Sequence, residues 1–110
     1  MDVTIEGLQA YLQNHYGSWA EAQGLFMKLV EEIGEVAEVL NRRSGRKASD
    51  RTDLDRELGE ELADMLHYIV AIAAVSGIDL NRVILEKDRK ASVKYHREVN
   101  LEQFIAESEQ

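Results

Sequence analysis

A chain of 110 residues is long enough for one domain and too short for two. Its 45% hydrophobic content supports a packed core, and the absence of cysteine excludes disulfides and thiolate metal sites. A formal charge of −8, with no basic stripe interleaved with aromatics, excludes a nucleic-acid polymer as partner.

Proline is absent and Ala, Leu, Glu, Lys and Arg are abundant, so the expected class is all-α. The first helix is predicted over about 4–16, with Ile5, Leu8, Tyr11 and Leu12 on one side and Gly17 ending it. Ser18-Trp19-Ala20-Glu21 matches a capping box, so the second helix is expected to start there and run to about Arg43. The polar, basic stretch SGRKASDRT over 44–52 reads as a mobile loop. A third helix is predicted from near Asp53 to just before Gly77, a C-terminal cap. Asp79 caps a fourth, expected to reach His96, and Asn100-Leu101-Glu102-Gln103 resembles the start of a short, loose terminal helix. The predicted organisation is a four-helix domain over 1–97 and a tail over 98–110.

The longest apolar run, 69–75, is far shorter than the ~20 residues of a membrane span, and no basic start precedes an apolar N-terminal run. A cytoplasmic protein with no membrane partner is the expectation. Helix 3 is apolar on nearly every side from Leu62 to Val75: Ala63, Val70, Ala71 and Ala74 lie away from the Leu58-Leu62-Leu66-Ile69 stripe. A helix apolar all round is buried all round, and three other helices are few to cover it. The bundle is therefore expected to be completed by homo-oligomerisation, as a homodimer or tetramer.

Two stretches carry the chemistry. LVEEIGEVAEVL (29–40) and LGEELADMLHYI (58–69) align without gaps, so that Glu31, Glu32, Gly34 and Glu35 match Glu60, Glu61, Ala63 and Asp64. At about 100° per residue, Leu25, Leu29, Val30, Ile33, Val36, Ala37 and Leu40 fill an arc beginning beside Glu32. Glu35 lies about 60° beyond the arc, and Glu31 and Glu38 point away. Glu61, Asp64 and Glu60 take the corresponding places on helix 3. A solvated charged face accounts for Glu31, Glu38 and Glu60. It fits the other four less well: carboxylates stand three or four residues behind them and only Glu32 has a cation at that spacing, Lys28, with which it is expected to pair. Oxygen donors without His or Cys suit a hard cation, Mg²⁺ or Mn²⁺.

The pattern E31-E32-x-x-E35, a gap of 25 residues and then E61-x-x-D64 resembles the EExxE…ExxD signature of MazG-like nucleoside triphosphate pyrophosphohydrolases. The likeness extends over about 4–97, to the helix order, to the small residues Gly34 and Ala63, and to a basic segment ending helix 4. It implies a four-helix MazG-like bundle built on dimers, hydrolysis of a nucleoside triphosphate to monophosphate and pyrophosphate, and Mg²⁺ held by Glu32, Glu35, Glu61 and Asp64. It also implies substrate contacts from Lys90, Lys94, Tyr95 and Arg97, with a lysine at 94 where many relatives carry asparagine. Lys90, Lys94 and Arg97 are expected on one helical face; cations at a helix C-terminus also interact with its dipole. A dUTP/dCTP-type or phosphoribosyl-ATP pyrophosphohydrolase, and a catalytically silent interaction bundle, stay open. Trp19 is read as a packing residue that can also stack on a base. His67, three after Asp64, lacks the second Glu-x-x-His that a di-iron site needs and points away from the acids.

Overall fold

The computed structural model describes residues 1–44 and 52–110. Among these all regular structure is helical: α1 (Ile5–Tyr16), α2 (Ala22–Arg43), α3 (Thr52–Val75), α4 (Leu80–Lys94) and α5 (Leu101–Ser108). Contacts divide them into two compact units, 1–78 with α1 to α3 and 79–110 with α4 and α5. The expected loop falls almost wholly on 45–51, outside the described residues, and Thr52 already begins α3.

In the first unit, Thr4 caps α1 by accepting the Gly7 N–H at 3.0 Å. The capping box expected at Ser18–Glu21 does not form. Instead, the Tyr16 carbonyl accepts the N–H groups of Trp19 at 3.1 Å and Ala20 at 2.9 Å, and the Trp19 indole N–H donates to the His15 carbonyl at 2.9 Å. That turn delays α2 to Ala22 and puts Glu21 at its N-cap, where its carboxylate makes no capping bond. Gly77 closes α3 at φ 67°, and the Ile78 N–H returns to the Ala73 carbonyl at 3.0 Å. A left-handed residue there satisfies carbonyls that the helix leaves unpaired.

α2 and α3 run antiparallel: Arg42 reaches Glu57 at 2.6 Å and Arg43 reaches Asp55 at 2.6 Å at one end, while Lys28 and Tyr68 meet around a cavity at the other. α1 lies antiparallel along α3, with Gln9 donating to the Ile78 carbonyl and Tyr16 bonded to His67. Leu12, Val39 and Val70 are fully buried, joined by Leu25, Leu29, Ala71, Ala73 and Ala74. Each large aliphatic so buried contributes about 1.5–3 kcal/mol.

This packing corrects one expectation. Val70, Ala71 and Ala74 need no second copy to cover them, because α1 does so. The opposite side stays open: Leu62, Leu66 and Ile69 of α3 and Phe26, Val30, Ile33 and Leu40 of α2 are each 40–51% exposed. On each helix they lie about 80–160° from the acid, and antiparallel packing puts both sets on one side of the pair.

In the second unit, Asp79 caps α4 by accepting the Arg82 N–H at 3.1 Å. α4 ends at Lys94, earlier than expected, because His96 turns left-handed at φ 55° and the Arg97 N–H returns to the Ser92 carbonyl at 2.9 Å. Arg97 therefore does not share a helical face with Lys90 and Lys94. Asp88 joins the two helices, accepting the Leu101 N–H at 2.7 Å on one oxygen and facing Arg97 at 3.4 Å on the other. A reciprocal Asn100–Gln103 capping box starts α5, so the tail helix is well capped and shares its unit with α4.

Candidate metal and nucleotide site

The four carboxylates singled out by the repeat lie midway along the α2–α3 pair. One oxygen each from Glu32, Glu61 and Asp64 gather within 4.8 Å of one another. Glu35 contacts Glu61 and Glu32, and the contact and repulsion from Glu61 hold its carboxyl above the ordinary value of 4.5. Glu61 is also raised: proton sharing with Glu35 lowers it, but the contact with Glu32, desolvation and repulsion from Glu32 and Asp64 outweigh that. Glu32 and Glu61 are half-buried; Glu35, Asp64, Glu31, Glu38 and Glu60 are exposed.

The local cation does not go where expected. Lys28 pairs with Glu31 at 3.5 Å rather than with Glu32. Arg42 answers Glu57, so among the described residues none of the four carboxylates has an ion-pair partner. The buried Oε2 atoms of Glu32 and Glu61 also lack any hydrogen-bond partner. A buried, unpartnered carboxylate oxygen is costly, and this pair faces like charge. An oxygen-only donor set converging from two helices fits a hard divalent cation.

A cavity of about 350 Å³, which none of the four carboxylates lines, is bounded by Tyr16, Trp19, Glu21, Leu25, Lys28 and Tyr68 among others. Lys28 stands one turn before Glu32 and Tyr68 one turn after Asp64, so the cavity lies about 6 Å along the helix pair from the cluster. Its volume falls within the usual range for small-molecule sites. The Tyr16 hydroxyl is bonded to His67 Nε2 at 2.7 Å, and burial, then repulsion by Tyr68 and Tyr11, raises its pKa. His67 thus faces α1, away from the acids. Trp19, 67% exposed, contributes to the lining with its indole N–H already engaged. Sequence reasoning did not single out Tyr16, Glu21 or Tyr68; the one-turn spacing of Tyr68 from Asp64 was the available signal.

The basic segment belongs to the other compact unit. Lys90 and Lys94 are exposed on α4, and the Lys94 ammonium lies 5.4 Å from the centroid of the exposed Tyr95 ring. Arg97 sits over the same ring at 6.0 Å and faces Asp88.

The described residues thus form an all-α fold with mirrored acid pairs on adjacent antiparallel helices and an aromatic-lined cavity one helical turn away. Residues 21–97 match the MazG nucleotide pyrophosphohydrolase domain, and the chain belongs to that family. It is 31% identical over 83 residues to the uncharacterized protein YpjD of Bacillus subtilis, covering 72% of this chain and 75% of that one. It is 36% identical over 70 residues to rat dCTP pyrophosphatase 1, covering 61% of this chain; the match spans only 41% of that relative's length. The crystal structure of iMazG from Vibrio DAT 722 superposes with a TM-score of 0.67 at 29% identity, over 86% of this chain and all of that one. No helix among the described residues is long and apolar enough to cross a membrane.

Proposed function

We propose that this chain is a divalent-metal-dependent pyrophosphohydrolase that splits a nucleoside or deoxynucleoside triphosphate into its monophosphate and pyrophosphate. The observation that carries the proposal is the pair of buried, unpartnered oxygens on Glu32 and Glu61 inside a carboxylate cluster spanning 4.8 Å. Family membership supports it. Glu32, Glu35, Glu61 and Asp64 would hold Mg²⁺ or Mn²⁺, which supplies charge neutralisation, phosphate orientation and activation of water. The close contacts and repulsion that raise Glu35 and Glu61 would be relieved by a bound cation.

The aromatic cavity takes the base. Trp19, Tyr16 and Tyr68 offer ring faces, and stacking suits any base. The family resemblance makes Lys90, Lys94, Tyr95 and Arg97 of the second unit the candidates for phosphate contact, and cations of this kind would offset the charge on departing pyrophosphate. Deoxycytidine triphosphate is the first substrate to test, because of the relatives named for it. The open apolar side of α2 and α3 joins two copies into a dimer, alone or within a tetramer, because an apolar face this extensive is rarely left in water.

A panel of ribo- and deoxynucleoside triphosphates, with phosphoribosyl-ATP, should be assayed with Mg²⁺ or Mn²⁺ for pyrophosphate release. Release from at least one, abolished by chelation, is the expected result. No release from any member would leave a silent interaction bundle as the better account.

A further inference from the structure

The cavity's aromatic groups have already committed their polar atoms. The Tyr16 hydroxyl is held by His67 and the Trp19 indole N–H by the His15 carbonyl, so both rings present faces that do not distinguish one base from another. Lys28 is paired with Glu31. Among the described residues, the polar side chains of the lining with no hydrogen-bond or ion-pair partner are those of Glu21 and Tyr68. A hydroxyl rotates to donate or accept. A carboxylate oxygen only accepts, and Glu21 stands at the N-cap of α2. It also makes none of the backbone bonds that residues at that position usually make.

We propose that Glu21 is a specificity-determining residue whose carboxylate accepts a hydrogen bond from the exocyclic amine of a base in this cavity. The site then favours amino-bearing bases, cytosine and adenine, over their keto counterparts uracil and hypoxanthine. A keto oxygen at the same place would set two acceptors against each other, and the carboxylate would lose hydration with nothing in return. The inference rests on the reading that the cavity takes the base.

The test uses the full chain, with two readouts. Equilibrium binding of dCMP and dUMP is measured by calorimetry without metal, and turnover of dCTP and dUTP is measured with Mg²⁺. The unaltered chain should favour the cytosine nucleotide by about tenfold or more. Glu21→Gln, whose amide can turn to donate to a keto group, should level that preference in both readouts while leaving Tm unchanged. Glu21→Ala should weaken the cytosine nucleotide and spare the uracil one. Levelled binding preference without turnover in any chain would support Glu21 and count against pyrophosphohydrolysis. Hydrolysis with a cytosine-to-uracil ratio that neither substitution moves would overturn Glu21 and leave the enzyme reading standing. Failure of both monophosphates to bind, or a preference for uracil in the unaltered chain, would also overturn it.

Discussion

Tyr16→Phe separates the two roles of the cavity wall. Tyr16 is 8% exposed, its hydroxyl lies 2.7 Å from His67 Nε2, and its ring faces the cavity beside Trp19. Deleting the hydroxyl removes one neutral hydrogen bond, worth about 1 kcal/mol, and leaves a half-buried imidazole nitrogen unpaired at a cost of roughly 1 kcal/mol more. For a chain of this size each kcal/mol moves Tm by about 4 °C, so the variant should melt roughly 4–8 °C lower. The hydroxyl points to α3, however, and the ring stays. KM for the best triphosphate should therefore change by less than about threefold, under ~0.7 kcal/mol of binding. Tyr16→Ala removes the ring as well, and loss of stacking worth about 1–3 kcal/mol should raise KM by roughly tenfold or more. Scanning calorimetry and steady-state kinetics on both variants give the answer. An unchanged Tm together with a tenfold loss of affinity in Tyr16→Phe would mean that the hydroxyl serves the ligand rather than His67, and the assignment of Tyr16 as a stacking face would be refuted.

Millimolar Mg²⁺ or Mn²⁺ should raise Tm, since a ligand at 100 times its dissociation constant stabilises the folded state by about 2.7 kcal/mol, here about 10 °C. Glu61→Gln and Asp64→Asn should lose most of that rise, and a Tm indifferent to both metals with and without nucleotide would rule out the site. Glu35 and Glu61 bind protons more tightly folded than unfolded, so stability present below pH 4.5 should be lost as pH rises through their raised folded values. Denaturant titrations from pH 4.5 to 7 should show this fall in the metal-free chain but a smaller one in Glu35→Gln; identical slopes would contradict the repulsion inferred between them. In sedimentation, the chain should be a dimer or a multiple of one at micromolar concentration, and Leu66→Glu should give folded monomers; a stable unaltered monomer would show that the open apolar side has no partner copy. Gln at Glu31, Glu38 or Glu60 should leave turnover within about threefold, because exposed surface changes have small effects; a loss equal to that of the four-carboxylate set would mean that the helix faces were misassigned.

The features legible in the sequence were those that depend on nearby residues. Thr4, Asp79 and Asn100 cap helices and Gly77 ends one, because each acts within its own turn. The meeting of Glu32, Glu61 and Asp64 was also legible, because the same spacing is written on two helices that a hairpin sets side by side. The missed features depend on competition between local options. Ser18 matched a capping pattern, but the Tyr16 carbonyl and Trp19 indole made a tighter turn. His96 replaced the glycine usual at a left-handed end, which hid the early stop of α4 and detached Arg97 from its expected face. Lys28 had two glutamates within reach, and spacing alone does not choose between Glu31 and Glu32. The cavity combines α1, a turn, α2 and α3, so no single stretch announced it.

The mirrored acids also act as an alignment mark. Leucines and valines recur every three or four residues on α2 and α3, so sliding one helix along the other by a turn, about 5.4 Å, replaces one aliphatic contact with another. That slide exceeds the 4.8 Å within which Glu32, Glu61 and Asp64 gather, and it would also part Arg42 from Glu57. Greasy contact tolerates several registers; the Arg42–Glu57 and Arg43–Asp55 pairs and the Glu32–Glu61–Asp64 cluster coincide in this one. A cation shared by both helices would work like a peg through two perforated strips, passing only when the holes line up. Removing a carboxylate would then blur the choice of register as well as weaken chemistry. The first sign would be an amide spectrum with broadened or doubled resonances along α2 and α3.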